Sequence, residues 1–323
     1  MRFPLRSLLI GGALGITTTA AATIGQHYQH WRRQLRERLE ADSQSIKTPQ
    51  GLVEYRLEGE GPALLLLHGS PGGYDQAIAL AHFLELQDYR VIAPSRPGYL
   101  RTPLVSGRTP EEQADLYAQL LDILNIPEVV VIAISGGGPS ALQFALRHPE
   151  RCRGLVMIAA LSQSYSEDET YRALPWATRQ RKRVIDRLLA SDPTLYLLLT
   201  LSKQLPPDVE AEIGNAREML SSLSLSELRE FGYENDMEQF ADLPHYPVRD
   251  IIAPTLLLHG TDDIEVPFAQ SEQLARRMPH ARLVTVYDAD HFTVLSNEVA
   301  VPAVRRFLRK IYLQEHFSSE WMK

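Results

Sequence analysis

The stretch Val129-Val130-Val131-Ile132-Ala133-Ile134-Ser135-Gly136-Gly137-Gly138-Pro139 decides the fold of this chain. An apolar run with the pattern of a strand is followed directly by a serine between small residues. A helical pattern comes after the serine. A sharp turn of this kind strains the serine backbone and leaves space only for small residues two positions away, which Ala133 and Gly137 supply. A glycine-rich turn can also cradle a phosphate, but the glycines here are not followed by Lys-Ser or Lys-Thr. The turn therefore predicts that Ser135 is a nucleophile.

A second apolar run also ends in a glycine-rich turn, Leu64-Leu65-Leu66-Leu67-His68-Gly69-Ser70-Pro71-Gly72-Gly73. The two turns resemble the nucleophile elbow and the oxyanion loop of the α/β-hydrolase superfamily. That resemblance implies that the backbone N–H groups of Ser70 and Gly136 form an oxyanion hole, which stabilises the negative charge developing on a carbonyl oxygen. It also implies that His68 is a structural histidine. The Ser70 hydroxyl either donates to the oxyanion or holds the loop, and both roles stay open at this point.

Two downstream motifs resemble the acid loop and the base loop of the same superfamily. In Leu256-Leu257-Leu258-His259-Gly260-Thr261-Asp262-Asp263-Ile264-Glu265-Val266-Pro267, the aspartate three residues after the glycine and four before the proline is Asp263. Asp262 is expected to be a turn or capping residue, with the swapped assignment as the alternative. Asp288-Ala289-Asp290-His291-Phe292 follows the last predicted strand and places His291 at the position of the base. The chain order Ser135, Asp263, His291 is the order that this fold uses.

Strand and helix patterns alternate over most of the chain from Gly51 onward. The predicted strands are Leu52–Leu57, Ala63–Leu67, Tyr89–Ala93, Val129–Ile134, Gly154–Ala160, Thr255–His259 and Arg282–Tyr287, with helices between most of them, including 111–124, 139–147 and 268–278. Alternation of this kind predicts an α/β fold with a mostly parallel sheet covered by helices on both faces. The resemblance implies the eight-stranded type of sheet, and we expect the α/β-hydrolase domain to occupy residues 51–323.

Residues from about 161 to 250 show helical patterns and no convincing strand, which predicts a helical cap inserted into the sheet domain. The leucine-rich stretch Leu195–Leu201 and the aromatic residues Tyr196, Phe231 and Tyr233 either line an apolar substrate pocket or form the core of the cap. The loop Ser95–Thr102 resembles the arginine-containing loop of capped members of the superfamily. We expect that loop to shape the pocket rather than to take part in the chemistry.

The N-terminal segment differs in character from the rest of the chain. Residues 1–30 contain an uncharged run from Ser7 to Gly25, whose length suffices to cross a bilayer as a helix. We therefore expect a single-pass membrane anchor, with a cleaved signal peptide and export as the alternative, because Ala20-Ala21-Ala22 offers a cleavage site. Residues 31–50 are expected to form a polar helical stalk. The arginines that follow the run slightly favour a catalytic domain on the cytoplasmic side.

Composition restricts the classes of partner. The formal net charge of -7 argues against nucleic acid, because phosphate binding relies on a concentrated basic surface. The single cysteine, Cys152, can form neither an internal disulfide nor a thiolate metal cluster. No metal or organic cofactor is implied. The expected partner is a small-molecule substrate.

These motifs together predict a serine hydrolase that cleaves a small to medium carboxylic ester through an acyl-enzyme intermediate. Serine at the elbow argues against an epoxide hydrolase or a haloalkane dehalogenase, because the members of the superfamily with those activities carry aspartate at this position. The segment His68–Gly73 also resembles the loop of prolyl aminopeptidases, so a peptidase is the first alternative, with Glu227, Glu230 and Glu234 as candidates to bind an N-terminal amine. Carbon–carbon bond hydrolysis is another enzymatic alternative. A ligand-binding protein without turnover is the non-enzymatic alternative, since a fold alone does not establish catalysis.

Overall fold

The computed structural model describes residues 5–295 and 298–320 of the chain. These residues form a sheet of eight strands with helices on both faces. The strands are β1 (Gln44–Lys47), β2 (Leu52–Glu58), β3 (Ala63–Leu67), β4 (Arg90–Pro94), β5 (Val129–Ile134), β6 (Cys152–Ile158), β7 (Thr255–Gly260) and β8 (Ala281–Val286). Their order across the sheet is β1-β2-β4-β3-β5-β6-β7-β8.

The sheet is parallel except at one edge, where β1 pairs antiparallel with β2 and β2 with β4. Strands β3, β5 and β7 are central and almost wholly buried, so they are continuous apolar runs rather than alternating ones. In the register, Leu67 lies beside Ala133 and Ile134 beside Ile158, which aligns the ends of three neighbouring strands. This architecture confirms the predicted fold class.

Two hydrophobic layers cover the sheet. Helices α3 (Pro110–Ile123), α4 (Gly138–Arg147) and α10 (Ala269–Arg277) pack on one face, where alternate strand residues such as Leu65 and Val131 join the core. Helices α1 (Leu5–Ala41), α2 (Tyr74–Phe83) and α11 (Ala300–Glu320) pack on the other face against residues such as Leu66 and Ile132. The alternation follows from the period of two along a strand.

Between β6 and β7 the described residues form five α-helices and no strand. They are α5 (Glu167–Ala173), α6 (Trp176–Leu189), α7 (Asp192–Ser202), α8 (Pro207–Ser221) and α9 (Glu230–Ala241). A short 3-10 turn, Ser226–Leu228, precedes α9. These helices form the cap, which the predicted fold class includes.

The predicted membrane anchor is wrong. No helix among the residues that the structure describes is long and apolar enough to cross a bilayer. The run from Ser7 to Gly25 lies within α1, and its glycines and the Thr17–Thr19 stretch dilute its apolar character. The predicted membrane location is therefore wrong, and so is the predicted side of the membrane. Residues 1–4 and 321–323 of the predicted ranges lie outside the described residues.

The segment 31–50 differs from the polar stalk that its composition suggested. It is helical only as far as Ala41, and β1 then joins the edge of the sheet. Leu35 and Leu39 are buried in the core beneath α2, and the Tyr74 hydroxyl donates to the Leu39 carbonyl oxygen at 2.8 Å. Two of its charged residues contact the cap, because the guanidinium groups of Arg32 and Arg36 both bind the Glu227 carboxylate.

Candidate active site

The predicted nucleophile Ser135 directly follows β5 and begins a short 3-10 turn that leads into α4. Its φ of 51° lies in the left-handed region, which is strained for a serine. The turn has no room for larger residues, because a Cβ atom at Gly137 would lie 2.7 Å from the Leu67 carbonyl oxygen. One at Gly138 would lie 2.0 Å from the Leu161 carbonyl oxygen. The glycines therefore allow the strained serine to lie at the carboxyl end of the central strand β5.

The predicted acid Asp263 lies in the loop after β7, and four donors surround its carboxylate. Oδ1 accepts hydrogen bonds from the backbone N–H groups of Glu265 and Val266, both at 2.9 Å. Oδ2 accepts from His291 Nδ1 at 2.8 Å and lies 3.1 Å from His259 Nε2. The two backbone donors fix the plane of the carboxylate, and its other oxygen faces the imidazole of the predicted base.

The same contacts decide the charge of the two partners. Burial raises the pKa of Asp263, but His291 and the hydrogen bond from His259 outweigh burial, and the pKa lies below its usual value. Burial also opposes protonation of His291, but the carboxylate of Asp263 outweighs it and raises the pKa of His291 above 6.5. With Nδ1 donating to Asp263, Nε2 of the neutral imidazole is left to accept a proton.

The topology brings the predicted site residues together at the carboxyl ends of the parallel strands. Strands β3, β5, β7 and β8 are parallel in the sheet, and Ser70, Ser135, Asp263 and His291 each follow the carboxyl end of one of them. Within the described part of the chain, no hydrogen bond joins Ser135 to His291. A nucleophile and its base often tighten their contact only when substrate is bound. The structure therefore joins the predicted acid to the predicted base and places the predicted nucleophile at the same carboxyl end of the sheet.

The loop that carries Ser70 lies directly against the elbow. A Cβ atom at Gly136 would lie 2.1 Å from Ser70 Oγ, and one at Gly69 would lie 3.1 Å from Ser135 Cβ. Glycine at both positions allows this approach. Ser70 Oγ accepts a hydrogen bond from Arg96 Nη2 at 2.8 Å and donates to the carboxylate of Asp236. In this structure the Ser70 hydroxyl therefore holds the loop.

The imidazole of His68 stabilises the base of the same loop. Its Nε2 accepts the backbone N–H of Arg96 at 2.9 Å, so Nδ1 carries the hydrogen and donates to the Gly69 carbonyl oxygen at 2.7 Å. Burial, with the positive charge of Arg96, lowers the pKa of His68 well below its usual value. This neutral histidine ties the loop after β3 to the loop after β4 and does not contact Asp263.

A family model described as the alpha/beta hydrolase fold matches residues 62–298, a range that contains both glycine-rich turns, Asp263 and His291. The chain belongs to the α/β-hydrolase fold family. Among the residues that the structure describes, this α/β-hydrolase has no group of three or more His, Cys, Asp or Glu side chains arranged to hold a metal ion.

Similar proteins are hydrolases of several kinds. A pimeloyl-[acyl-carrier protein] methyl ester esterase from Aromatoleum aromaticum is 30% identical over 73% of this chain and 93% of its own length. A poly(3-hydroxyalkanoate) depolymerase from Ectopseudomonas oleovorans is 29% identical over 84% of this chain and 92% of its own. The solved structure of an α/β-hydrolase fold protein from Nakamurella multipartita is 33% identical, with a TM-score of 0.66 over 83% of this chain and 98% of that one.

Three residues around the site of this α/β-hydrolase were not predicted from the sequence. His259 lies at the end of β7 and contacts Asp263, whereas Asp236 and Phe240 belong to cap helix α9. A Cβ atom at Gly136 would lie 3.2 Å from Phe240 Cε2, so this ring lies beside the elbow. Asp236 and Phe240 are four residues apart and therefore share one helix face. That spacing is the only sequence signal that could have linked them.

The cap residues that were candidates for a pocket lining are placed differently. Leu195 and Leu199 are buried, whereas Leu197, Leu198 and Leu201 are exposed. The Tyr196 ring packs against Trp31 of α1 with 5.3 Å between centroids.

The other two candidate aromatic residues are Phe231 and Tyr233. Phe231 is exposed, and the Tyr233 hydroxyl donates to Glu167 at 2.8 Å. Phe240 is thus the aromatic residue of the cap that the structure places nearest to the elbow glycine Gly136.

Proposed function

We propose that this α/β-hydrolase is a serine hydrolase that cleaves a small to medium carboxylic ester through an acyl-enzyme intermediate. The observation that carries the proposal is the Asp263–His291 hydrogen bond of 2.8 Å. It lies at the carboxyl end of the sheet, where Ser135 occupies a strained turn. A nucleophilic serine needs a base, and the base needs a partner that fixes its tautomer. This arrangement supplies candidates for each of the three roles.

In the proposed reaction, Ser135 Oγ attacks the ester carbonyl carbon while His291 Nε2 accepts the hydroxyl proton. The negative charge moves to the carbonyl oxygen, where the backbone N–H groups of Ser70 and Gly136 stabilise it. His291 then gives its proton to the leaving alcohol as the carbon–oxygen bond breaks. A water molecule attacks the acyl-enzyme in the same way and releases the carboxylic acid. Asp263 stays ionised throughout and stabilises the imidazolium.

Two observations support an ester rather than a peptide as the substrate. One relative is named as a methyl ester esterase and another as a poly(3-hydroxyalkanoate) depolymerase. One of the three acidic residues predicted to bind an amine in a peptidase, Glu227, accepts hydrogen bonds from Arg32 and Arg36. Its charge is therefore neutralised within the chain, which leaves a peptide N-terminus without that partner.

Labelling with a fluorophosphonate tests the nucleophile, because the probe reacts only with an activated serine. We expect the native chain to incorporate one equivalent, Ser135→Ala to incorporate none, and turnover in that variant to fall by several orders of magnitude. Ser164→Ala is a matched control, since Ser164 follows β6 near the same edge but only donates to the Ala241 carbonyl oxygen at 2.8 Å. Unchanged labelling in Ser135→Ala would exclude Ser135 as the nucleophile.

The same preparations test the bond that is cleaved. A panel of p-nitrophenyl esters, the p-nitroanilide of proline and a vinylogous 1,5-diketone compares ester, peptide and carbon–carbon hydrolysis. We expect the highest kcat/KM for an ester. A higher kcat/KM for the proline derivative or for the diketone, lost in Ser135→Ala, would leave the serine mechanism in place and replace the ester by that substrate class.

A further inference from the structure

The loop that carries Ser70 is held by the sheet domain, where Gln76 Oε1 accepts the Gly69 N–H at 2.7 Å, and also by the cap. The carboxylate of Asp236, on α9, accepts hydrogen bonds from Ser70 Oγ, from the Tyr99 hydroxyl and from both terminal nitrogens of Arg96. Arg96 and Asp236 are 1% and 2% exposed, so water does not compete for these bonds. An ion pair enclosed in this way joins three segments that are far apart in the sequence.

The hydroxyl of Ser70 has one hydrogen, and Asp236 receives it. The side chain therefore has no hydrogen left for a substrate, and only the backbone N–H of Ser70 is available to an oxyanion. An oxyanion donor stabilises the transition state only if it is already placed where the charge develops. The placement of that N–H depends on the contacts that hold the loop, and Asp236, acting through the hydroxyl, is one of them.

A second contact between cap and loop lies on the other side of the same turn. Arg229, which precedes α9, donates through Nη1 to the Gly72 carbonyl oxygen at 2.6 Å and through Nη2 to Asp75 at 2.8 Å. This guanidinium is also almost wholly buried. The cap segment around α9 thus contacts the loop at Ser70 and at Gly72. The sheet domain contributes His68 at the base of the loop and Gln76 of α2, which binds Gly69 and Pro71.

We propose that Asp236 is a positioning residue for the oxyanion hole, so that the rate of acyl transfer depends on the cap being seated on the loop. The inference rests on the proposed serine mechanism and extends it to a cap residue that does not touch the substrate. When the cap is seated, the carboxylate of Asp236 holds Ser70 against Gly136. When α9 moves away, the Ser70 hydroxyl loses its acceptor, and the Ser70 N–H, one of the two donors of the hole, is less firmly placed.

Three variants test this in the full chain. Asp236→Asn removes the charge that orients Arg96 and Ser70. Ser70→Ala removes only the hydroxyl, keeps the backbone N–H, and leaves the pair of Arg96 and Asp236 intact. The double variant measures whether the two residues act together. Glu238→Gln is the matched control, because Glu238 is two residues along α9 and is exposed, with Arg108 as its ion-pair partner at 3.3 Å.

The readouts are kcat and KM for a p-nitrophenyl ester. The concentration of active sites used to calculate kcat is taken from fluorophosphonate labelling carried to completion. Loss of one oxyanion donor lowers kcat by about 10²–10³ in other serine hydrolases, so a misplaced donor should cost about 10-fold to 100-fold. We expect that loss in Asp236→Asn and a loss of about 10-fold in Ser70→Ala, with KM nearly unchanged. The double variant should be no slower than Asp236→Asn, and Glu238→Gln should match the native chain.

Several results would overturn the inference: native kcat in Ser70→Ala, losses that multiply in the double variant, or a change confined to KM. If Asp236→Asn does not fold, Ser70→Ala decides alone, with its melting temperature measured beside its kcat. Lower kcat at an unchanged melting temperature supports the inference, and unchanged kcat refutes it. An active Ser135→Ala variant would instead refute the proposed function, so the two failures are distinguishable.

Discussion

Replacing Asp263 by asparagine tests how the proposed base is oriented. All four neighbours of this carboxylate are donors, namely the N–H groups of Glu265 and Val266 and the ring nitrogens of His259 and His291. An amide offers one acceptor and one donor in place of two acceptors. The Oδ1 side faces two backbone donors that cannot turn, so the amide oxygen should occupy it and the NH₂ group should face His291.

His291 Nδ1 then has to accept a hydrogen bond from that NH₂ group, so the ring hydrogen moves to Nε2. That tautomer cannot take the Ser135 proton, and the equivalent change in a serine protease lowers kcat by about 10⁴. At about 1.36 kcal/mol per tenfold change, we expect the barrier to rise by about 5.4 kcal/mol. The fold should persist, because the volume of the side chain is unchanged.

Steady-state kinetics on Asp263→Asn and Asp262→Asn measure the effect with a control one residue away. The side chain of Asp262 accepts only from Thr261 Oγ1, at 3.1 Å, and lies at the surface, so its variant should keep kcat within a few-fold. A drop of less than tenfold in Asp263→Asn would refute the reasoning. A larger loss in Asp262→Asn would move the acid to that position.

Two predictions concern pH. Because Asp263 raises the pKa of His291 and the base must be neutral, kcat/KM should increase as pH rises through a midpoint above 6.5, and a pH–rate profile with a midpoint below 6 would contradict this. His82 donates from its two ring nitrogens to Glu218 at 2.8 Å and Glu58 at 2.5 Å, and these carboxylates outweigh burial and raise its pKa. Its contribution to stability is therefore complete below the unfolded pKa of about 6.5 and is lost as pH rises through the higher folded pKa. The difference in melting temperature between the native chain and His82→Gln should accordingly be larger at pH 6 than at pH 9, and an equal difference at both would refute it.

Local chemistry explains which parts of the site could be predicted from the sequence. The turn after β5 is specified by its own residues, since only glycine fits at Gly137 and Gly138. The loop of Asp263 is likewise local, because the carboxylate binds N–H groups two and three residues further on. Local requirements of this kind fix the spacing of residues in the sequence, so the turn after β5 and the Asp263 loop can be recognised as motifs.

The features that sequence patterns did not predict depend on tertiary contacts or on weak local signals. Strand β1 is short, mostly exposed and polar, so it lacks an apolar pattern. The run from Ser7 to Gly25 met the length criterion for a membrane span, but its glycines and threonines make it too polar. Asp236 carries no motif because its partner Arg96 lies 140 residues away, and only folding brings the two together.

The two halves of the proposed site are therefore held by different parts of the fold. Loops of the sheet hold Asp263 and His291, whereas the Ser70 loop also depends on α9 of the cap, through Asp236. Proton transfer and charge stabilisation should then respond separately to substitution. A change at Asp236 should lower the rate by the same factor at every pH, because the environment of His291 is untouched. A change at Asp263 should also lower the midpoint of the pH–rate profile, because that carboxylate raises the pKa of His291. A shifted midpoint in Asp236→Asn would show that the cap acts on the base as well, and the separation of the two halves would fail.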